Sequence, residues 1–163
     1  EKMPTIRAAI VGASEHDHEY KKMMRKIEEL HLKENIEVHP LLPQQDVVRM
    51  YQRAKVFALL SYEEGMPKVV IEALACGVPV VASRNSGMRD LIKEGKNGFF
   101  INPDDQEGIA QRLLQVLQQH HPLDVNAASI RKQYSWQSIA KKTAEVYRKV
   151  RATASQAAST ASA

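Results

Sequence analysis

Short apolar runs alternate along the chain with longer stretches in which apolar residues recur every three or four positions. IRAAIVG at 6–12 reads as a strand ending in Gly. Between about His16 and Leu32, the residues Tyr20, Met23, Met24, Ile27 and Leu30 fall at helical spacing, which predicts an amphipathic helix. IEVHPLL at 36–42 is a second strand that Pro43 stops, and Asp46 then caps or opens a helix running to about Ala54. VFALL at 56–60 predicts a third strand, and VPVVAS at 78–83 and GFFIN at 98–102 two more, each flanked by Gly or Pro. Asp104 or Asp105 caps a helix containing Ile109, Leu113, Leu114 and Leu117, and further helices follow near 124–133 and 136–151. Ser135 is the expected cap of the last one and Trp136 its packing anchor.

Strands that alternate with helices and are apolar on both faces predict an α/β fold, a doubly wound parallel sheet with helices on both sides. The 163 residues suit one domain, placed at 1–151. The tail 152–163, TASQAASTASA after Ala152, has no large apolar side chain to bury and is expected to be disordered or a marginal helix, a linker or tag. No internal repeat calls for a solenoid or propeller.

Composition narrows the picture. With 44% hydrophobic and 26% charged residues, neither disorder nor a membrane origin is required. No apolar run approaches the ~20 residues of a membrane span, and no signal-peptide order opens the chain. The single cysteine, Cys76, fits a reducing compartment, so the cytoplasm is expected, and its position before Gly77 suggests packing rather than nucleophilic chemistry. The net charge of +4 comes from basic residues scattered among acids, which argues against nucleic-acid binding and would suit a phosphate-bearing ligand without singling one out. His16 with His18, and His120 with His121, lack a carboxylate and cysteine set at ligand spacing, so no metal site is expected.

The informative segment is SYEEGMPKVVIEALACG at 61–77, which follows a strand and must hold a loop and then a helix. In doubly wound sheets ligands bind beyond the carboxyl ends of the strands. Gly65 permits a tight turn and Pro67 suits the first helical position. The N–H groups around Lys68, Val69 and Val70 then either hold an anion, with Lys68 adding a point charge, or simply start a helix. Glu72 sits in VVIEALA, apolar around most of its circumference, where an unpartnered carboxylate would be costly. It either accepts two charge-assisted hydrogen bonds from a sugar diol or pairs with a Lys or Arg in a structural salt bridge. Glu64, eight residues earlier, can reach the same cleft, while Glu63 reads as a solvated loop residue.

The run E-G-M-P-K-V-V-I-E-A-L-A-C-G-V-P-V-V-A-S, with S-G-M-R-D-L-I and G-K-N-G-F-F-I-N-P-D-D after it, resembles the C-terminal domain of the family 4, or group 1, glycosyltransferases. The likeness extends from the IVG strand to YSWQSIAKKTAEVYRKV at 134–150. It implies one half of a GT-B fold, Rossmann-like, which binds a nucleoside-diphosphate sugar as substrate and transfers a hexose with retention of configuration. The resemblance assigns the ribose hydroxyls to Glu72 and the donor sugar to Glu64, the catalytic candidate. Gly65, Met66, Pro67, Lys68 and Val69 would border the sugar and diphosphate, and His39, Pro40, Leu41 and Leu42 the base. No metal or other cofactor is implied.

The acceptor would be held by an N-terminal domain absent from this chain, as would any peripheral contact with a membrane. The family's preceding strand, with its Arg and Lys for the diphosphate, would also lie upstream, so this chain alone is expected to be inactive. The chain departs from the family pattern at Ser86, where a second Gly is common, and at Asp90, where Glu is common. Two other readings remain: a non-catalytic nucleotide-sugar-binding or interaction module, and a GT-B-fold epimerase or phosphorylase, the latter disfavoured by the lack of a lysine and glycine arrangement for pyridoxal phosphate.

Overall fold

The computed structural model describes residues 6–119 and 123–161, with those from 154 onward described by their backbone alone. Two compact units divide between Met50 and Tyr51, where the sequence reading expects one domain. In the first, β1 (Ala8–Val11) pairs in parallel with β2 (Ile36–His39), Ala8 opposite Ile36 and Val11 opposite His39. Between them runs α1 (His18–Glu29), opened by Asp17, whose carboxylate accepts from the Glu19 N–H at 3.0 Å. The four residues of β1 are exposed. The expectation of a strand buried on both faces does not hold there, because among the described residues of this unit a single paired strand and α1 offer too little surface to cover it.

The helix α2 (Gln44–Arg53) crosses the boundary between the units. It opens earlier than Asp46: the Pro43 carbonyl already accepts from the N–H groups of Asp46 and Val47, and the Asp46 carboxylate meets Arg49 at 3.0 Å. The second unit holds a fully parallel sheet in the order β3 (Phe57–Leu59), β4 (Val80–Ser83), β5 (Gly98–Ile101). Around it lie α3 (Lys68–Ala75), the one-turn α4 (Ser86–Arg89), α5 (Gln106–Gln118), α6 (Ala127–Gln133) and α7 (Trp136–Ala161). The class is α/β with parallel sheets and helices on both faces, as expected.

The core of the second unit sits where α3 covers the sheet. Val70, Ala73 and Leu74 of α3, Val80, Val81 and Ala82 of β4, and Met88 of α4 are fully buried. Val81 also joins Phe99 and Val116 in a cluster that fixes α5. Gly98 is required at the β4–β5 contact, since a Cβ there would stand 2.2 Å from the Val80 carbonyl oxygen. Asp105, rather than Asp104, caps α5, accepting from the Gly108 N–H at 2.9 Å. Ser135 caps α7 through the Ser138 N–H at 3.1 Å, as expected. Trp136 is not the anchor of that helix: it is 81% exposed, because it stands at the helix start and points away from the packed residues. The α7 backbone stays helical to Ala161, over residues expected to be disordered or marginally helical, in keeping with the high helix propensity of its alanines.

Candidate functional site

The loop after β3 is fixed by a second loop, the one after β4. Ser61 Oγ donates to Glu64 Oε1 at 2.8 Å, and Asn85 Nδ2 donates to the Ser61 carbonyl at 3.2 Å. The Gly87 N–H donates to the Glu64 carbonyl at 3.2 Å, and Ser86 Oγ reaches the same oxygen at 3.5 Å. Position 87 admits no side chain, since a Cβ would lie 2.4 Å from the Gly65 carbonyl oxygen and 2.6 Å from that of Glu64. Asn85 also accepts from the Met88 N–H at 3.3 Å, capping α4, so a single side chain ties the turn to the loop it supports. The two loops enclose an open hollow of about 530 Å³ lined by Glu63, Glu64, Gly65, Asn85 and Ser86.

Beyond Gly65 the chain enters α3. Pro67 is the residue just before the helix, one position earlier than expected, and supplies no side-chain cap. The Val70 and Ile71 N–H groups turn back to the Pro67 carbonyl at 3.1 and 3.4 Å, which takes Val70 out of the set of free donors. Among the described residues, the N–H groups of Lys68 and Val69 have no backbone acceptor, and both residues are exposed together with Met66. A helix end left open in this way presents donors and a partial positive charge to any anion that reaches it.

One turn further in, Glu72 is half-buried and makes no ion pair among the described residues, so the salt-bridge reading finds no partner. Its surroundings are Tyr51 and Cys76. The Tyr51 hydroxyl donates to the Val69 carbonyl at 3.2 Å, and the ring meets Phe57 edge to face. Burial pushes the Tyr51 phenol well above its ordinary range, and the charge of Glu72 pushes it further. Burial likewise raises the Cys76 thiol, against the opposing pull of Arg131, with Glu72 adding to the rise. Cys76 ends α3 as its C-cap, and its raised thiol is poorly suited to nucleophilic work, in line with a packing role.

His39, Pro40, Leu41 and Leu42 belong to the first unit. The His39 carbonyl accepts from Gly12 and Ala13 at 3.1 and 3.2 Å, tying the turn after β1 to the end of β2, and Gly12 can take this turn because its φ is +92°. The His39 ring meets Glu37 at 3.2 Å. Leu41 stands 87% exposed. Of the residues expected in the site, Glu64 and Gly65 share the hollow. Met66 to Val69 continue from it along the chain into α3, and Glu72 lies within that helix outside the hollow's lining. Ser61, Asn85 and Gly87 were missed as supports. The Asn before Ser-Gly is a helix-cap signal that could have revealed α4, while Glu63, read as solvated, also lines the hollow.

The family model described as glycosyl transferases group 1 matches residues 1–136. The chain belongs to the group 1 glycosyltransferases. Among curated relatives it is similar to a D-inositol 3-phosphate glycosyltransferase of Corynebacterium urealyticum, 36% identical over 109 residues, which are 65% of this chain and 26% of the relative. It is also similar to the O-antigen chain mannosyltransferase B of Escherichia coli, 30% identical over 110 residues, 66% of this chain and 28% of that protein. The crystal structure of Anabaena Alr3699/HepE in complex with UDP matches with a TM-score of 0.80 at 23% identity, over 90% of this chain and 42% of that one.

This group 1 chain therefore spans about a quarter of the length of the curated relatives it matches. The Rossmann-like α/β fold expected from the resemblance is the fold observed, and its structural neighbours are GT-B glycosyltransferases. Among the described residues no helix is long and apolar enough to cross a membrane, and no group of three or more metal-ligating side chains gathers. His120 and His121 lie outside the described residues.

Proposed function

We propose that this chain is the C-terminal, nucleotide-sugar-binding portion of a retaining, family 4 glycosyltransferase, which transfers a hexose to an acceptor held by an N-terminal domain beyond this chain. The observation that carries the reading is the open start of α3, where among the described residues the Lys68 and Val69 N–H groups have no acceptor and Lys68 is exposed, directly after a hollow lined by Glu64 and Gly65. A departing nucleoside diphosphate gains negative charge, and a preorganised helix end beside a lysine stabilises it without reorganisation. In this proposal the helix end takes the part that a divalent cation plays elsewhere, so transfer is expected to survive chelation.

Glu72 holds the ribose diol in this reading. It is half-buried and, among the described residues, makes no ion pair, so beside the Tyr51 phenol its carboxylate can accept hydrogen bonds from the diol. Glu64, oriented by Ser61 and held through its carbonyl by Gly87, contacts the donor sugar near the reacting carbon. Met66 and Pro67 border the sugar and diphosphate. UDP is the first nucleotide to test, because a structural neighbour holds it. The enzyme is assigned to the cytoplasm, where the lone Cys76 remains a thiol.

A ligand-observed NMR titration of UDP, GDP and ADP, each with its sugar conjugates, tests the donor site directly. Selective binding of one nucleotide, weakened about tenfold to a hundredfold in Glu72→Ala by loss of charge-assisted bonds, supports the reading. Binding unchanged in the variant would remove Glu72 from the site. For the full-length enzyme, the anomeric configuration of the product decides retention, and unchanged turnover in EDTA decides the metal question.

A further inference from the structure

A second hollow, of about 540 Å³, opens where β4 and β5 end. Its lining comprises Tyr62, Ser83, Arg84 and the stretch from Phe100 to Asp104. None of these residues belongs to the donor site proposed above. Three features set the hollow apart from ordinary surface. Ser83 is 2% exposed, and its Oγ has no hydrogen-bond partner among the described residues. A buried hydroxyl left in that state is costly and rare. The Arg84 guanidinium lies 5.3 Å from the centre of the Phe100 ring and makes no ion pair among the described residues, so its donors stay available while its plane is held by the aromatic face. Across the hollow, the Tyr62 hydroxyl donates to Asp104 Oδ1 at 2.6 Å, which raises the phenol above its usual range and fixes the carboxylate beside it. The Asp104 N–H in turn donates to Asn102 Oδ1 at 3.1 Å, holding the amide side chain at the rim.

The mixture is charge-balanced. A guanidinium held against Phe100 and a carboxylate held by Tyr62 line the same hollow, together with an amide and two hydroxyls. An anion would meet Asp104, and a cation would meet Arg84. A neutral polyol meets both favourably, because vicinal hydroxyls donate to a carboxylate and accept from a guanidinium at the same time. We propose that this hollow is a second carbohydrate subsite, one that binds a neutral sugar through its hydroxyls and shares no lining residue with the donor hollow. Tyr62, Arg84, Asn102 and Asp104 are its contact residues. A sugar seated there would touch, through Tyr62, the loop that also carries Glu64.

The test is a two-dimensional amide NMR titration of the chain with glucose, mannose, galactose and, separately, inorganic phosphate. The expected result is a set of saturable shifts at Tyr62, Arg84 and residues 100–104 with at least one neutral sugar and not with phosphate. Those shifts should weaken at least tenfold in Asp104→Asn and in Arg84→Ala, and persist in Glu72→Ala, which separates this subsite from the donor reading. Tyr62→Phe removes a single hydroxyl and keeps the ring, so it serves as the mild variant should either of the others lose its folded spectrum; a weakened response is expected there too. Shifts elicited by phosphate instead of sugars, sugar shifts unaffected by these variants, or no shifts with any of the three sugars would overturn the proposal.

Discussion

The strands β1 and β4 are each four residues long, AAIV and VVAS, and both were legible as short apolar runs bounded by Gly or Pro. Every residue of β1 is exposed and every residue of β4 is buried. The difference lies outside the strands. β4 has a paired strand on either side, α3 packed on it and Met88 of α4 buried, whereas among the described residues β1 pairs with β2 alone. An apolar run therefore announces a strand, and the number of neighbours decides what that strand contributes to stability and where it can hold a site. The loops that leave β3 and β4 are held in place because the strands beneath them are.

The sharpest way to break this comparison is to remove the same two methyl groups from each strand. Val81→Ala should cost roughly 1.5–3 kcal/mol in chemical denaturation, the transfer of two methyls plus a cavity, and Val11→Ala about 0.5 kcal/mol or less. Equal losses would mean that β1 is buried in solution by something that its own unit does not supply. Next in size is Gly87→Ala, which must displace the Gly65 and Glu64 carbonyls and is expected to cost about 1–3 kcal/mol. It should also weaken nucleotide binding more than its stability loss explains, since the loop bearing Glu64 rests on it. Gly12→Ala, in the turn after β1, strains the backbone at φ +92° but meets no atom within 4 Å, so the cost should be smaller, about 1 kcal/mol.

A subtler effect concerns pH. The Tyr51 phenol holds its proton more tightly in the folded chain than in the unfolded one, so its contribution to stability is fully present below the unfolded value near 10 and is lost as the pH rises above it. Stability curves from pH 8 to pH 11 should fall on the alkaline side, and Tyr51→Phe should flatten that fall. A slope that stays the same in the variant would assign it to another group.

Element type followed from periodicity nearly everywhere, because apolar runs and helical spacing are local properties. The ends shifted by a residue or two where backbone bonds decided them: the Pro43 carbonyl starts α2 before Asp46, and the Pro67 carbonyl takes the Val70 N–H. Glu72 stood out as a carboxylate in an apolar helix, a signal any single chain carries, and Glu64 by its place in the loop eight residues earlier and by the family resemblance. Asn85 and Gly87 did not, since their importance comes from a main-chain contact with residues about twenty positions earlier. The exposure of Trp136 escaped the reading for the same reason. Its large apolar side chain argues for burial, and only the packing around it could show that nothing in the unit receives it. The division into two compact units left no mark on the sequence pattern, because periodicity records no contacts between distant segments.

The glycine at 87 fixes the Glu64 loop through an amide hydrogen bond and bare steric contact, with no ionisable group in the joint. Such a joint is indifferent to salt and to acidity. The loop's geometry should hold across ionic strengths that would dissolve any surface ion pair, so a salt dependence of the proposed nucleotide binding would report the attraction between the ligand and Lys68 and not a loosening of this loop.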